Sequence, residues 1–241
     1  MALVFNTVTL ASVTAAIGVA LALWLAYKAR KTKSPITTNA NRLIGIGYAV
    51  PGTIIAVGIL IPVIKLDHSL VDTLNGWFGT AWGLLLTGSL GVLVYAYLIR
   101  FLAVALQSVE AGLSKITPSM DDAAQSLGAT RFGVLKRIHI PLLRPSLVTA
   151  ALLVFVDVMK ELPATLVLRP FNFDTLAVHV YVLAKDERLA EAAWPALTMV
   201  AVGLLPVLIA SRQITRANAT INAIPQKTAR ATARTTAQLP T

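Results

Sequence analysis

The sequence lacks cysteine and has few charged residues. None of its 241 residues is a cysteine, so disulfide bonds and cysteine-ligated metal sites are excluded. Charged residues make up 13% of the chain, against about 25% in an average soluble domain. Hydrophobic residues account for 56%, the mean hydropathy is +0.72, and the charges fall between long apolar runs. This composition indicates a polytopic membrane protein and not a soluble domain with a large core.

Several motifs of catalytic sites are also missing. The chain has no HExxH zinc motif, no GxSxG nucleophile elbow and no P-loop. We therefore expect no catalytic residue, no cofactor and no ATP hydrolysis on this chain. His68, His139 and His179 show no metal-ligand spacing, so we expect no metal site either.

Five apolar segments are long enough to cross a bilayer as helices, which takes about 20 residues each. The predicted spans are residues 6–27, 43–64, 78–105, 146–166 and 192–211. The expected fold class is therefore all-α, with about five transmembrane helices. The segment 217–241 is rich in alanine, threonine and basic residues and has almost no large apolar side chains. It predicts a disordered tail after a transmembrane domain at 1–216.

The distribution of lysine and arginine predicts the orientation in the membrane. The connections after the first, third and fifth spans hold 16 of these residues, and those after the second and fourth hold four. Since basic residues concentrate in cytoplasmic connections, we expect the N-terminus outside and the C-terminus in the cytoplasm. This topology accounts for the net charge of +10. We therefore expect membrane lipid, and not nucleic acid, around the chain.

A polar segment at 108–144 lies between the third and fourth spans, on the predicted cytoplasmic side. Asp121 and Asp122 fall in the first turn of a short helix, where carboxylates complement the helix dipole. Gly128 predicts a stop, and a second helical stretch ends at Pro141. The pattern predicts two short helices around a glycine elbow. Two interpretations fit it equally, a rigid knob for a cytoplasmic partner and an amphipathic helix that rests on lipid.

This segment resembles the EAA signature of ABC-importer permeases. The signature reads Glu-Ala-Ala, three residues, Gly, nine residues, Ile, one residue and Leu-Pro, and the spacing here is the same. Aspartate replaces the glutamate and isoleucine replaces the leucine. The matching residues are Asp122, Ala123, Ala124, Gly128, Ile138, Ile140 and Pro141.

The resemblance implies a type I ABC-importer permease core in a bacterial inner membrane. In that family the segment forms a coupling helix that docks in a cleft of a separate ATPase subunit, which holds ATP and Mg. The implied docking helix is Asp121 to Gly128, and Ile138 to Pro141 would connect it to the fourth span. Further implied partners are a periplasmic substrate-binding protein and a second permease half, which is either another copy or a separate chain.

Three other stretches resemble permeases of ferric-iron importers. They read GYAVPGTIIAVG, LIRFLAVALQSVEAGL and DVMKELPATLVLRPFNFDTLAVHVY. The resemblance covers residues 4–215 and corresponds to the second half of the usual two-half chain, without the helix expected before the first span. Permeases for polyamines, thiamine or phosphonates share part of this pattern. A truncated subunit that transports nothing is a further alternative.

Charged and helix-breaking residues inside the predicted spans are candidates for the transport path. In the fourth span Asp157, Lys160 and Glu161 have spacings that predict one shared helix face. They either line a translocation path or form a structural ion pair. In the second span Pro51 and Gly52 predict a kink, which is either a hinge for alternating access or static.

Overall fold

The computed structural model describes residues 1–32, 35–79, 83–208 and 211, and within these ranges it is helical without strands. A π-helical turn, Leu135–His139, joins α6 to α7. The helices are α1 (Ala2–Lys31), α2 (Pro35–Ala49), α3 (Gly52–Phe78), α4 (Leu90–Leu113), α5 (Pro118–Ser126), α6 (Arg131–Val134), α7 (Ile140–Met159), α8 (Pro163–Leu168), α9 (Leu176–Lys185) and α10 (Leu189–Leu208). The predicted tail at 217–241 lies outside the described residues.

Five helical segments are long and apolar enough to cross a membrane, which confirms the predicted all-α membrane fold. Four of them lie in α1, α3, α4 and α10. The fifth runs from Phe132 through the π-helical turn to Met159. The chain divides into a unit at Met1–Gly203 and a second unit at Leu204–Thr241.

The second predicted span, 43–64, is divided into two helices. Helix α2 ends at Ala49, and α3 begins at Gly52 and continues to Phe78. Proline disfavours helical backbone in the residue before it and cannot donate a backbone hydrogen bond, so the helix stops at Pro51. The predicted kink within one helix is therefore a junction between two helices.

The third predicted span, 78–105, starts too early. Helix α3 ends at Gly79, which has a left-handed φ of +61°, and α4 begins after Ser89, whose side chain accepts the backbone N–H of Val92. The buried carboxylate of Asp67 holds the connection by accepting three backbone N–H groups at 2.7–3.0 Å. Their donors are Leu85, Leu86 and Thr87. Hydropathy missed this break because the connection is itself apolar.

The fourth predicted span, 146–166, ends too late, because α7 stops at Met159 and a separate helix starts at Pro163. Several basic residues that the sequence assigned to connections lie inside helices, among them Lys65 in α3 and Arg100 in α4. The basic asymmetry keeps its direction without these two, and the outside N-terminus stays a prediction.

Helices α1, α4 and α7 pack against one another and form the core. Helix α1 contributes a row of buried small residues, which lets its neighbours approach closely. These are Ala11, Ala15, Ala22 and Ala26. Near the predicted cytoplasmic end, α4 and α7 meet at Gly112, where a Cβ atom would overlap Ser146 and Leu143. This close crossing fixes the frame from which the segment 114–139 extends.

Candidate functional site

Helix α5 and the turn after it form the predicted glycine elbow. Gly128 has φ +84°. Its N–H donates to the Gln125 carbonyl at 2.9 Å, and the N–H of Ala129 donates to the Ala124 carbonyl at 3.0 Å. This pair of bonds is the Schellman ending of a helix, in which the residue after the cap is left-handed and is usually glycine. The conformation expected of Gly128 is therefore present.

The elbow exposes an acidic group and large apolar groups. Asp122 and Ala123 are exposed, whereas Ala124 is buried beneath them. Leu127 is 89% exposed and Phe132 is 71% exposed. An exposed carboxylate and two protruding apolar side chains are suited to contact with a partner. We call Asp122, Ala123, Leu127 and Phe132 the docking face.

Asp121 does not belong to the docking face, although the sequence pairs it with Asp122. Its carboxylate points inward and bridges two other elements. Oδ2 lies 3.3 Å from Nε of Arg30 on α1, and Oδ1 lies 2.6 Å from Nε2 of His139 in the π-helical turn. Asp121 therefore holds α5 to the helical frame, while Asp122 faces outward.

Arg30 and His139 complete this contact, and both are residues that sequence reasoning missed. Nη1 of Arg30 donates to the Leu113 carbonyl at the end of α4, at 2.9 Å. His139 is fully buried, and its ring meets the ring of Tyr27 edge-on at a centroid distance of 5.5 Å. In the sequence Arg30 is one of several basic residues after a span, and His139 is an isolated histidine. No local pattern indicated that they meet.

The end of the signature lies in the π-helical turn and the start of α7. Ile138 and Ile140 are half-buried, and Pro141 is exposed. The prediction that the second helical stretch ends at Pro141 is wrong, because Pro141 lies in the first turn of α7, where proline is tolerated. A π-helical turn contains one more residue than the corresponding α-helical turn, and such turns are frequent at functional sites. His139 lies between the two isoleucines in this π-helical turn, and its side chain contacts Asp121 and Tyr27.

A second group of charged residues lies at the end of α7 and directly after it. Lys160 Nζ is 2.8 Å from Asp157 Oδ1, and the Lys160 side chain is 62% exposed. Glu161 is only 6% exposed, and it faces Arg100 at 3.5 Å. Since α7 ends at Met159, the prediction that Asp157, Lys160 and Glu161 share one helix face is wrong. They form two separate ion pairs.

The Arg100–Glu161 pair lies against the junction of α2 and α3. A Cβ atom on Gly52 would overlap Nη1 of Arg100 and Oε1 of Glu161. Oε1 of Glu161 also accepts the N–H of Ala164 at 3.2 Å, at the start of α8. The candidate hinge and one candidate path residue are thus in contact, through an arginine that the sequence had assigned to a cytoplasmic connection.

The described part of the chain holds no group of three His, Asp or Glu side chains placed to bind a metal ion. The absence of a metal site and of a cofactor stays a prediction.

The comparison with protein families decides what kind of chain this is. The model of the family described as "Binding-protein-dependent transport system inner membrane component" matches residues 18–219. The chain belongs to this family. It is therefore a multi-pass membrane protein of the permease type.

Individual relatives of this permease carry different substrate names. It is 28% identical over 204 residues to the "Fe(3+)-transport system permease protein FbpB 2" of Haemophilus influenzae, covering 85% of this chain and 37% of the relative. It is 30% identical over 120 residues to the "Putative 2-aminoethylphosphonate transport system permease protein PhnV" of Salmonella typhimurium, covering 50% of this chain and 45% of the relative. The chain thus spans less than half the length of these relatives.

A solved structure supports the fold. The permease superposes with a TM-score of 0.68 and 19% identity on a chain of the "bacterial alginate ABC transporter in complex with alginate pentasaccharide-bound periplasmic protein", covering 88% of this chain and 78% of that chain. At this identity the likeness concerns the fold alone.

Proposed function

We propose that this permease is the transmembrane subunit of an ATP-driven importer in a bacterial inner membrane. It takes substrate from a periplasmic binding protein and moves it across the membrane while a separate ATPase subunit hydrolyses ATP with Mg. The family match and the five membrane helices support this proposal. The observation that carries it is the EAA-like segment, which folds as a short helix with an exposed docking face and a left-handed glycine elbow.

The docking face would bind the ATPase. Helix α5 has only nine residues and a partly polar surface, so it cannot span a membrane. Its exposed carboxylate on Asp122 suits a basic cleft, and Leu127 and Phe132 offer apolar area that gains free energy when covered. An amphipathic helix resting on lipid would also cover these two side chains, but it would gain nothing from the acid.

For the substrate we propose ferric iron. The FbpB-type relative aligns over 85% of the chain, whereas the aminoethylphosphonate relative aligns over half of it. The second candidate is therefore a phosphonate. Uptake of radiolabelled iron and of labelled 2-aminoethylphosphonate, in cells with and without this gene, separates the two.

A permease subunit of this kind works as one of two halves. We propose that a second half, either another copy or a separate chain, completes the path. Asp157, Lys160 and Glu161 would line it, and Pro51 with Gly52 would act as its hinge. Glu161 and Arg100 are in contact beside Gly52, which supports a joint role for the path residues and the hinge.

The decisive experiment reverses one charge on the docking face. Asp122→Lys should abolish co-purification of the ATPase and abolish substrate uptake, because it presents a like charge to a basic cleft. The matched control is Asp72→Lys, since Asp72 is also exposed but lies in the half of α3 remote from the segment. If the Asp122 variant keeps both ATPase binding and uptake, the docking proposal fails and the lipid-resting helix becomes the better interpretation.

A further inference from the structure

Four side chains connect the docking helix to the membrane helices at its inner side. They are Tyr27 and Arg30 on α1, Asp121 on α5 and His139 in the π-helical turn, and we call them the clamp. The docking face is the exposed part of α5 and of the elbow after it. The clamp is therefore placed between the surface that would meet the ATPase and the helices that would move.

We infer that the clamp is a positioning device that transmits movement of the docking helix to α1 as well as to α7. This inference rests on the proposed coupling function, and it adds a second route and names the residues that form it. The chain itself already connects α5 to α7 through α6 and the π-helical turn. No covalent connection of similar length leads from α5 back to α1, so direct contact between these two helices depends on the clamp.

Arg30 is the centre of the clamp, because its guanidinium contacts two elements at once. Nε approaches the Asp121 carboxylate at 3.3 Å, and Nη1 donates to the Leu113 carbonyl at 2.9 Å. Leu113 is the last residue of α4, where backbone carbonyls lack helical partners and attract cations. A guanidinium has a rigid fork of donors that can satisfy both acceptors, and a lysine ammonium has no such fork.

Asp121 connects α5 to two elements, since each of its two carboxylate oxygens has a different partner. An ionised carboxylate only accepts hydrogen bonds, so Nε2 of His139 donates to Oδ1 at 2.6 Å. Charge-assisted hydrogen bonds of this kind are shorter and stronger than neutral ones. The aspartate also lies in the first turn of α5, where the helix dipole favours its charge. Movement of α5 away from α1 and the π-helical turn would therefore break both contacts.

His139 fixes the third side. It is fully buried, and Tyr27, which lies three residues before Arg30 on the same face of α1, packs against its ring. Helix α1 thus contacts Asp121 directly through Arg30, and it contacts His139, which hydrogen-bonds to Asp121, through Tyr27. This closed arrangement leaves α5 no single contact about which it could pivot freely.

A double-mutant cycle tests the clamp. Arg30→Gln and Asp121→Asn each break the same contact and leave the docking face intact, so the ATPase should co-purify within about twofold of wild type. Uptake in each single variant should fall about fivefold, a size typical of coupling residues. Both changes break the Arg30–Asp121 contact, and each also removes one contact of its own, to the Leu113 carbonyl or to His139. The double variant should therefore lose clearly less than the product of about 25-fold. Lys115→Gln is the matched control, since Lys115 is exposed and lies beside the clamp in the α4–α5 connection.

A second readout does not depend on the partner. The chain contains no cysteine, so Lys28→Cys on α1 and Ser126→Cys on α5 supply two exposed and unique positions for spin labels. Each clamp variant should broaden the distance distribution between these labels, and Lys115→Gln should not. Unchanged uptake in both single variants, a multiplicative loss in the double variant, or unchanged label distances would overturn the inference. Failure of the docking proposal is distinct, because then Asp122→Lys keeps the ATPase and uptake while the labels still report the clamp.

Discussion

Replacing Gly128 by valine perturbs the elbow without touching its surroundings. The residue has φ +84°, and a Cβ built on it meets no atom within 4 Å, so the cost arises from the backbone and not from a clash. A side chain in the left-handed region costs about 1–2 kcal/mol, and a β-branched residue lies at the upper end. The two hydrogen bonds that end α5 depend on this conformation. We expect α5 to lose its fixed direction, and with it ATPase binding and uptake, while the protein still inserts in the membrane.

The assay combines co-purification of the ATPase, substrate uptake and the amount of permease in the membrane. Gly79→Val is the matched control, because Gly79 also ends a helix with a left-handed φ of +61° and has no atom within 4 Å of a built Cβ. It carries the same local strain at the opposite end of α3 from the junction with α2. If both variants lose uptake equally, the effect is strain alone, and the coupling role of the elbow is refuted. Gly128→Asn should restore part of the activity, since asparagine tolerates this conformation.

Two further predictions concern the spans and the topology. Glu161→Gln should cost about 3 kcal/mol of stability because it leaves the Arg100 guanidinium unpaired in the interior. Lys160→Gln should cost less than about 1 kcal/mol because that lysine is largely exposed. Thermal unfolding in detergent compares the two variants, and equal costs would contradict the distinction between the two ion pairs. A reporter enzyme fused after Thr241 should be active only in the cytoplasm, and periplasmic activity would overturn the predicted orientation.

The number of membrane helices could be predicted from the sequence, but their ends could not. Apolar runs of about 20 residues indicate a span because a helix of that length is needed to cross the hydrocarbon core of the membrane. The ends depend on features that hydropathy averages out. Gly79 ends α3 through a left-handed backbone, and the apolar connection after it is held by the Asp67 carboxylate 18 to 20 residues earlier in the chain.

The same difference appears within the candidate site. The elbow could be predicted because helix, cap and glycine are neighbours in the sequence, and local backbone rules apply to them. The inward orientation of Asp121 could not, because its partner Arg30 is 91 residues away. Two adjacent aspartates look alike in a sequence, and only the packing of α1 against the segment separates one that holds the helix from one that faces outward.

The junction at Pro51 and the charges at the end of α7 follow from one physical constraint. Arg100 lies near the middle of α4, and around it α2 ends, α3 begins and α8 begins. Helix ends carry backbone groups without helical partners, and hydrocarbon offers none. Such irregular backbone occurs at membrane depth only where protein encloses it or where it borders water. Glu161 satisfies one of these backbone groups by accepting the N–H of Ala164, and it also faces Arg100. A chain that needed only to span the membrane would have no reason to place three helix ends around a buried ion pair. This position is therefore where we expect the path and its hinge to meet.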